Sequence, residues 1–192
     1  MRGHLLEASM ATKETIKFPR INFVALLAAA LSFVSVFLYW WGLNTTGFIS
    51  DSFQWSLWSG PSRLYVSSAN SAQTLTTYSP LIGVLVIGSA VLLLIGTIPR
   101  ASRILIVSSV PAILAPIAYA FLVNYAVSSA CSGISNCISG PFGTQTFTAG
   151  PFTTTVTWGF QPGFYLEIVA AVLSIVAIAF QRTFLPTKTS RT

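Results

Sequence analysis

The sequence predicts an all-α membrane fold, a four-transmembrane-helix bundle whose two outer loops form a small β-rich extracellular layer. Four apolar runs of about 20 residues match the roughly 30 Å hydrocarbon core of a bilayer at 1.5 Å per helical residue. Of the 192 residues, 53% are hydrophobic and only 7% are charged, whereas a soluble globular protein carries about 25% charged residues. We therefore expect the bilayer to be the main solvent of this chain.

The positions of lysine and arginine predict which ends of the runs face the cytoplasm. All basic residues except Arg63 lie in the N-terminal tail, in the short connection between the second and third runs, or near the C-terminus. Because cytoplasmic loops carry an excess of Lys and Arg, we expect a multi-pass protein of the cell (plasma) membrane with both termini cytoplasmic. The expected order is a cytoplasmic basic tail (1–20), a first span (21–43), an outer loop (44–79), a second span (80–98), a cytoplasmic turn (99–103), a third span (104–127), a second outer loop (128–162), a fourth span (163–182) and a cytoplasmic tail (183–192).

The first apolar run has two interpretations, an uncleaved span or a secretory signal peptide. A signal core holds about 7–15 apolar residues and is followed by small residues, whereas this run is longer and its small residues, Ala28 to Ala30, lie in its middle. The run ends in Tyr39, Trp40 and Trp41, and aromatic rings favour the headgroup layer. We expect an uncleaved span with its outer boundary at these rings.

The outer loops are poor in charge but rich in aromatic residues. Asp51 and Arg63 are their only charged residues. The stretch 144–160 alternates loosely around Gly150-Pro151, which predicts a β-hairpin, and the first loop is expected to add one or two strands. The aromatic residues that we expect to contact a partner are Trp55, Trp58, Tyr65, Phe152 and Trp158.

Two further sites fall in the outer loops. Cys131 and Cys137 are the only cysteines, and an oxidising compartment favours a disulfide between them. The alternative is a pair of free thiols that bind a metal, although no histidine or acidic residue is close in the sequence. Asn44-Thr45-Thr46 matches the N-glycosylation pattern, and the alternative is an unmodified turn at the membrane edge.

Glu167 is the only acidic residue inside a long apolar run. A carboxylate at mid-membrane costs about 2.5–3.5 kcal/mol on insertion scales, so it is usually paired, protonated or functional. We expect Glu167 to belong to an intramembrane polar site, and its expected partners are Arg63 from the first outer loop, or Asn124 and Tyr125 at the outer end of the third run. This site is expected to tie a helix to the outer layer, and the alternative is a step in a proton or ion pathway.

Several function classes lack the residues they require. The single histidine, His4, lies in the N-terminal tail, so the sequence predicts no catalytic residues, no metal site and no cofactor. The basic residues follow the ends of the apolar runs, and we expect no nucleic acid partner. The expected partners are the lipid bilayer and either another envelope protein or a second copy of the chain.

The Trp55-Ser56-Leu57-Trp58 element, four spans and cytoplasmic termini resemble the layout of the claudin-type tetraspan membrane proteins. The family's cysteine pair lies in its first outer loop, whereas Cys131 and Cys137 lie in the second, so no functional residue is carried over. The resemblance implies an adhesive or organising role.

Two functional hypotheses follow from these residues. The first is a non-enzymatic structural, adhesive or accessory protein that acts through aromatic and Ser/Thr-rich outer loops. The alternative is a small transporter or channel with Glu167 at its outer mouth.

Overall fold

The computed structural model describes residues 21–48, 50–60, 69–98, 102–132 and 137–184. The elements in chain order are α1 (Phe23–Ser35), β1 (Tyr39–Gly47), β2 (Asp51–Ser56), α2 (Ala69–Gly96), α3 (Ser102–Ala130), β3 (Gly143–Ala149), β4 (Phe152–Phe160) and α4 (Pro162–Phe184).

In the part of the chain that the structure describes, three helices are long and apolar enough to cross a membrane. The qualifying segments are Thr74–Gly96 in α2, Arg103–Ala130 in α3 and Pro162–Gln181 in α4. The first helix, α1, is also apolar but has only 13 residues.

The all-α fold class expected from the sequence is wrong. The four strands form one antiparallel sheet in the order β2-β1-β4-β3, so the fold combines four helices with a four-stranded sheet. The sheet contains residues from both of the loops expected to be outer, and also the last residues of the first apolar run. Hydropathy alone does not separate a buried strand from a helix, and this is why the sheet is larger than the pattern predicts.

The first apolar run divides into a helix and a strand. The helix α1 ends at Ser35, and Leu38 N–H donates to the Ser35 carbonyl at 3.2 Å in a tight turn. The indole Nε1 of Trp40 donates to the same carbonyl at 2.8 Å, which satisfies a carbonyl that the helix itself leaves unpaired. Tyr39, Trp40 and Trp41 then enter β1, as expected of aromatic residues, which favour strands.

The predicted β-hairpin between residues 144 and 160 is confirmed. The strands β3 and β4 pair antiparallel from Gly143↔Trp158 to Ala149↔Phe152. Gly150, the first residue of the two-residue loop, has φ 61°, a left-handed conformation that glycine adopts readily and that such short hairpins use. The expectation of one or two strands in the first loop is also confirmed, because β1 pairs with both β2 and β4.

The main core lies where the sheet meets the nearest ends of the helices. Trp40 is fully buried and packs edge-on against Tyr119 of α3 and Phe164 of α4, with ring centroids 5.0 Å and 6.0 Å apart. A second, smaller cluster lies towards the other end of the bundle, where the buried alanines Ala25 and Ala28 of α1 share a cluster with Ala177 of α4. Small side chains allow close helix contact, which is the main source of helix packing in a bilayer.

Candidate functional site

Glu167 lies in the second turn of α4 and is fully buried. The helix begins at Pro162, and proline is well suited to the first helical position because its missing N–H has no intrahelical partner there. The helix starts directly after β4 with only Gln161 between them. The carboxylate is therefore held a short distance from the sheet, on the face of α4 that packs against α1.

Two serines of α1 bind the Glu167 carboxylate. Ser32 Oγ donates to one carboxylate oxygen at 3.1 Å, and Ser35 Oγ lies 2.9 Å from the other. Both serines are fully buried. Their spacing of three residues places them on the same helix face, one turn apart. The carboxylate therefore ties α4 to α1.

Ser35 takes part in a second contact. Its Oγ also lies 2.7 Å from the Ser32 carbonyl oxygen. A serine hydroxyl carries one proton, so it donates to one of these two acceptors at a time. The Ser35 hydroxyl therefore keeps an acceptor even without Glu167, whereas the Ser32 hydroxyl bonds to Glu167 alone among the described residues.

Among the described residues, the observed partners of Glu167 are Ser32 and Ser35, neither of which was expected. Asn124 is exposed on α3, and Arg63 lies outside the described residues. The sequence signal for the observed partners was a pair of serines with helical spacing, Ser32 and Ser35, inside the first apolar run. The expected tie runs from the helix to the outer layer, whereas the observed tie runs from α4 to α1.

The geometry of this site suits a structural tie. Glu167 has no exposed surface. A groove of about 350 Å³ between α3 and α4 has an entirely apolar lining, formed by Ile113, Pro116, Ile117, Ala120, Phe164, Ile168, Ala171, Val172 and Ile175. It offers no polar route to the carboxylate. Within the described ranges, no three His, Cys, Asp or Glu residues are grouped to hold a metal ion.

The sheet has one polar face, which we call the hydroxyl face. The pairing register places on this face Gly42, Asn44 and Thr46 of β1, Ser52 and Gln54 of β2, Thr144, Thr146 and Thr148 of β3, and Thr153, Thr155, Thr157 and Gly159 of β4. None of these residues is charged, and most are exposed. Threonines of neighbouring strands interact across it, with hydroxyl oxygens 3.2 Å apart for Thr146 and Thr155.

The opposite face of the sheet is aromatic and partly covered by the chain. Trp41 and Trp55 pack together with ring centroids 4.9 Å apart. The indoles of Trp41 and Trp158 donate to the carbonyls of Pro141 and Gly140, at 2.7 Å and 3.1 Å. The segment before β3 therefore packs against this face.

The aromatic residues expected to contact a partner have different positions. Trp55 and Trp158 are 4% and 6% exposed, so the expectation that they contact a partner is replaced by a role in the core. Trp58 is partly exposed, and its ring lies against Gly83 of α2. Phe152 is exposed, and Tyr65 lies outside the described residues.

Sequence reasoning missed the neighbour of Phe152. Phe48 is 67% exposed and lies 4.3 Å from Phe152 between ring centroids, at the tip of the sheet. The two residues are about 100 positions apart in the chain, and only the pairing of β1 with β4 brings them together. No local pattern indicates this contact.

The disulfide between Cys131 and Cys137 is confirmed, with Cα atoms 5.4 Å apart. Asn44 lies within β1 rather than in a turn, and its exposed side chain accepts a hydrogen bond from Ser52 Oγ at 2.7 Å. The turn expected at this residue is therefore absent, because Asn44 lies inside a strand.

No protein-family model matches this chain, and no curated protein matches it.

Proposed function

We propose that this chain is a non-enzymatic integral protein of the cell membrane with a structural, adhesive or accessory-subunit role, acting through its outer sheet. The observation that carries the proposal is the hydroxyl face, which both outer loops build together. A water-exposed protein surface normally mixes both signs of charge, whereas this face offers only hydroxyl and amide groups. Such a surface is suited to hydrogen bonding with an uncharged partner surface.

Four exposed tyrosines support the proposed membrane position. Tyr39 follows α1, and Tyr78, Tyr125 and Tyr165 lie near the sheet-proximal ends of α2, α3 and α4; they are 51–64% exposed. Tyrosine is enriched at membrane–water interfaces. A belt at this level would place the sheet outside and, with the basic residues at the other helix ends, both termini in the cytoplasm.

The proposal treats α1 as a fourth spanning segment. The helix lies antiparallel to α4, because Asn22 at its start binds the Ala177 carbonyl and Ser35 at its end binds Glu167. It therefore follows α4, itself long and apolar enough to cross a membrane, over much of that helix. This layout also accords with the resemblance to claudin-type tetraspan proteins.

Photo-cross-linking in intact membranes tests the function. A photoreactive residue at Thr157, exposed on the hydroxyl face, is expected to capture a protein, which mass spectrometry then identifies. The matched control is the same probe at Val172, 54% exposed on α4, where we expect lipid adducts. If the Thr157 probe captures no protein, or no more than the Val172 probe, the proposed function is wrong.

Thiol labelling tests the orientation. In intact cells, a cysteine at Ser52 should react with a membrane-impermeant maleimide, because this exposed residue is proposed to lie outside. Labelling that requires permeabilised cells would contradict the proposed topology.

A further inference from the structure

We propose that the free edge of β3 pairs with the same edge of a second copy of this chain. This inference rests on the proposed function and specifies a partner for the outer sheet. In the sheet formed by the described residues, β3 lies at one edge and β2 at the other. The two edges differ in a way that points to pairing through β3.

The hairpin register identifies the backbone groups of β3 that point away from β4. A two-residue hairpin loop closes on a hydrogen-bonded pair, here Ala149↔Phe152, and such pairs alternate along an antiparallel ladder. This alternation requires the backbone groups of Thr153 to point away from β3. The hydrogen bond from Phe48 N–H to the Thr153 carbonyl agrees with it, because it shows that Thr153 faces β1. The outward N–H and C=O groups of β3 therefore belong to Thr144, Thr146 and Thr148.

This edge lacks the features that usually prevent strand pairing. Native edge strands are commonly protected by charged side chains, proline or bulges. The β3 sequence, Gly-Thr-Gln-Thr-Phe-Thr-Ala, contains no charge and no proline, and its pairing with β4 is regular.

The opposite edge is protected. By the same alternation, the N–H of Ser52 on β2 points outward, and the Asp51 carboxylate accepts a hydrogen bond from it at 2.8 Å. Asp51 also places a charge on this edge. Pairing of two copies through β2 would therefore lose this bond and bring two carboxylates together.

The β3 strand is complementary to itself. An antiparallel pair centred on Thr146 places Thr146 opposite its own copy and Thr144 opposite Thr148, which allows about six backbone hydrogen bonds. The threonine pairs would repeat those already formed within the sheet, where Thr144 Oγ1 donates to Thr157 Oγ1 at 3.3 Å. Because the edge is uncharged, no like charges meet across the twofold axis.

The expected contact is weak in dilute solution. A single strand pair buries less than the roughly 1,200–2,000 Å² of a standard stable interface. Because β3 runs from the helix end of the sheet at Gly143 to its tip at Ala149, the antiparallel pair joins copies that lie in two facing membranes. Several such contacts between the same two membranes act together and strengthen one another. A covalent trap is therefore the appropriate probe.

Disulfide trapping tests the pairing in the full-length protein. The two native cysteines are bonded to each other, so Thr146→Cys introduces the sole free thiol. The Cα atoms of a directly opposed hydrogen-bonded pair are about 5.5 Å apart, within the disulfide range. The matched control is Ser52→Cys, equally exposed and on the same face but on the opposite edge. Detergent-solubilised protein removes any constraint on the relative orientation of the copies.

We expect oxidation to give several-fold more covalent dimer for Thr146→Cys than for Ser52→Cys. Equal yields from the two variants, or no dimer from either, would overturn the self-pairing. If the Thr157 photoprobe still captured a different protein, the proposed function would stand while the second copy would be excluded as the partner at this edge.

A backbone substitution provides an independent test in liposomes. Thr146→Pro removes the outward N–H at a position where an edge strand tolerates proline, and Thr146→Val retains it. Energy transfer between liposomes that carry differently labelled copies should be lost in the proline variant and kept in the valine variant. Transfer that persists with proline, or is lost equally with valine, would contradict backbone pairing. If the proline variant does not fold, the comparison of the two cysteine variants decides.

Discussion

Glu167→Ala removes both acceptors of the tie between α1 and α4, and its cost depends on what each serine retains. Ser35 still donates to the Ser32 carbonyl at 2.7 Å, so the loss falls mainly on the Ser32 hydroxyl. Interhelical hydrogen bonds in membranes contribute about 0.6 kcal/mol on average and up to about 1.7 kcal/mol. With the void left by the truncated side chain, we expect the free energy of unfolding to fall by about 1–3 kcal/mol.

Glu167→Gln should cost much less. The glutamine oxygen accepts from Ser32, and the amide donates to Ser35 Oγ, whose own proton then goes to the Ser32 carbonyl. Because every polar group of the tie keeps a partner, we expect a change within about 0.5 kcal/mol.

A double-mutant cycle between Glu167→Ala and Ser32→Ala isolates the tie. Unfolding titrations of the purified protein in detergent should give a coupling energy of about 0.6–1.7 kcal/mol. The control is Ser174→Ala: this buried α4 serine donates to the Ala171 carbonyl of its own helix, so its coupling with Glu167→Ala should be close to zero.

Two results would refute the tie. If glutamine at position 167 costs as much as alanine, hydrogen bonding is not what the carboxyl contributes. If Glu167 and Ser32 do not couple, the contact does not stabilise the fold. Either result would reopen the alternative of Glu167 in a transport pathway, for which flux through proteoliposomes is the direct assay.

Three further predictions concern packing, the disulfide and the start of α1. A Cβ at Gly163 would lie 2.6 Å from Trp40 Cδ1, so Gly163→Ala should lower the free energy of unfolding, measured by thermal unfolding, by about 1–3 kcal/mol. A Cβ at Gly88 would have nothing within 4 Å, so Gly88→Ala should be neutral or stabilising. Equal effects of the two substitutions would contradict the clash. Replacing both cysteines by serine should lower the free energy of unfolding by about 2 kcal/mol in thermal unfolding. If reductant does not change the stability of the parent protein, this prediction is wrong. Asn22→Ala should lower the free energy of unfolding by about 1–3 kcal/mol and Asn22→Ser by less, because the serine hydroxyl still accepts from Ala25 N–H at the helix cap. Equal losses in unfolding titrations would show that the cap contributes nothing.

The sequence predicted those features that depend on local pattern. The apolar runs indicated the three long helices, and the alternation around Gly150-Pro151 indicated the hairpin of β3 and β4. The two cysteines, six positions apart in one loop, indicated their disulfide. In each case the residues that determine the structure are close together in the chain.

The predictions that were wrong concern features that depend on residues far apart in the chain. The first apolar run gave no indication that the chain leaves the helix at Ser35, because the aromatic residues that follow are as apolar as those of α1. What determines the change is the pairing of Trp41 and Leu43 with Phe160 and Trp158, more than 100 positions later. The sequence indicates Glu167 as an unusual acidic residue, but its partners Ser32 and Ser35 can be found only by knowing which helix packs against α4.

The polar contacts of α1 also determine the geometry of the outer sheet. With 13 residues, α1 is about 20 Å long, shorter than the roughly 30 Å hydrocarbon core. If α1 is a fourth spanning segment, as proposed, its apolar length alone therefore fixes its depth in the membrane poorly. Asn22 Nδ2 donates to the Ala177 carbonyl at 2.9 Å near one end, and the serines bind Glu167 near the other. A slide of α1 along α4 by one turn, about 5.4 Å, would break both contacts. Because β1 follows α1 and β4 precedes α4, a fixed register between these helices keeps the two central strands in register and holds the hydroxyl face in place.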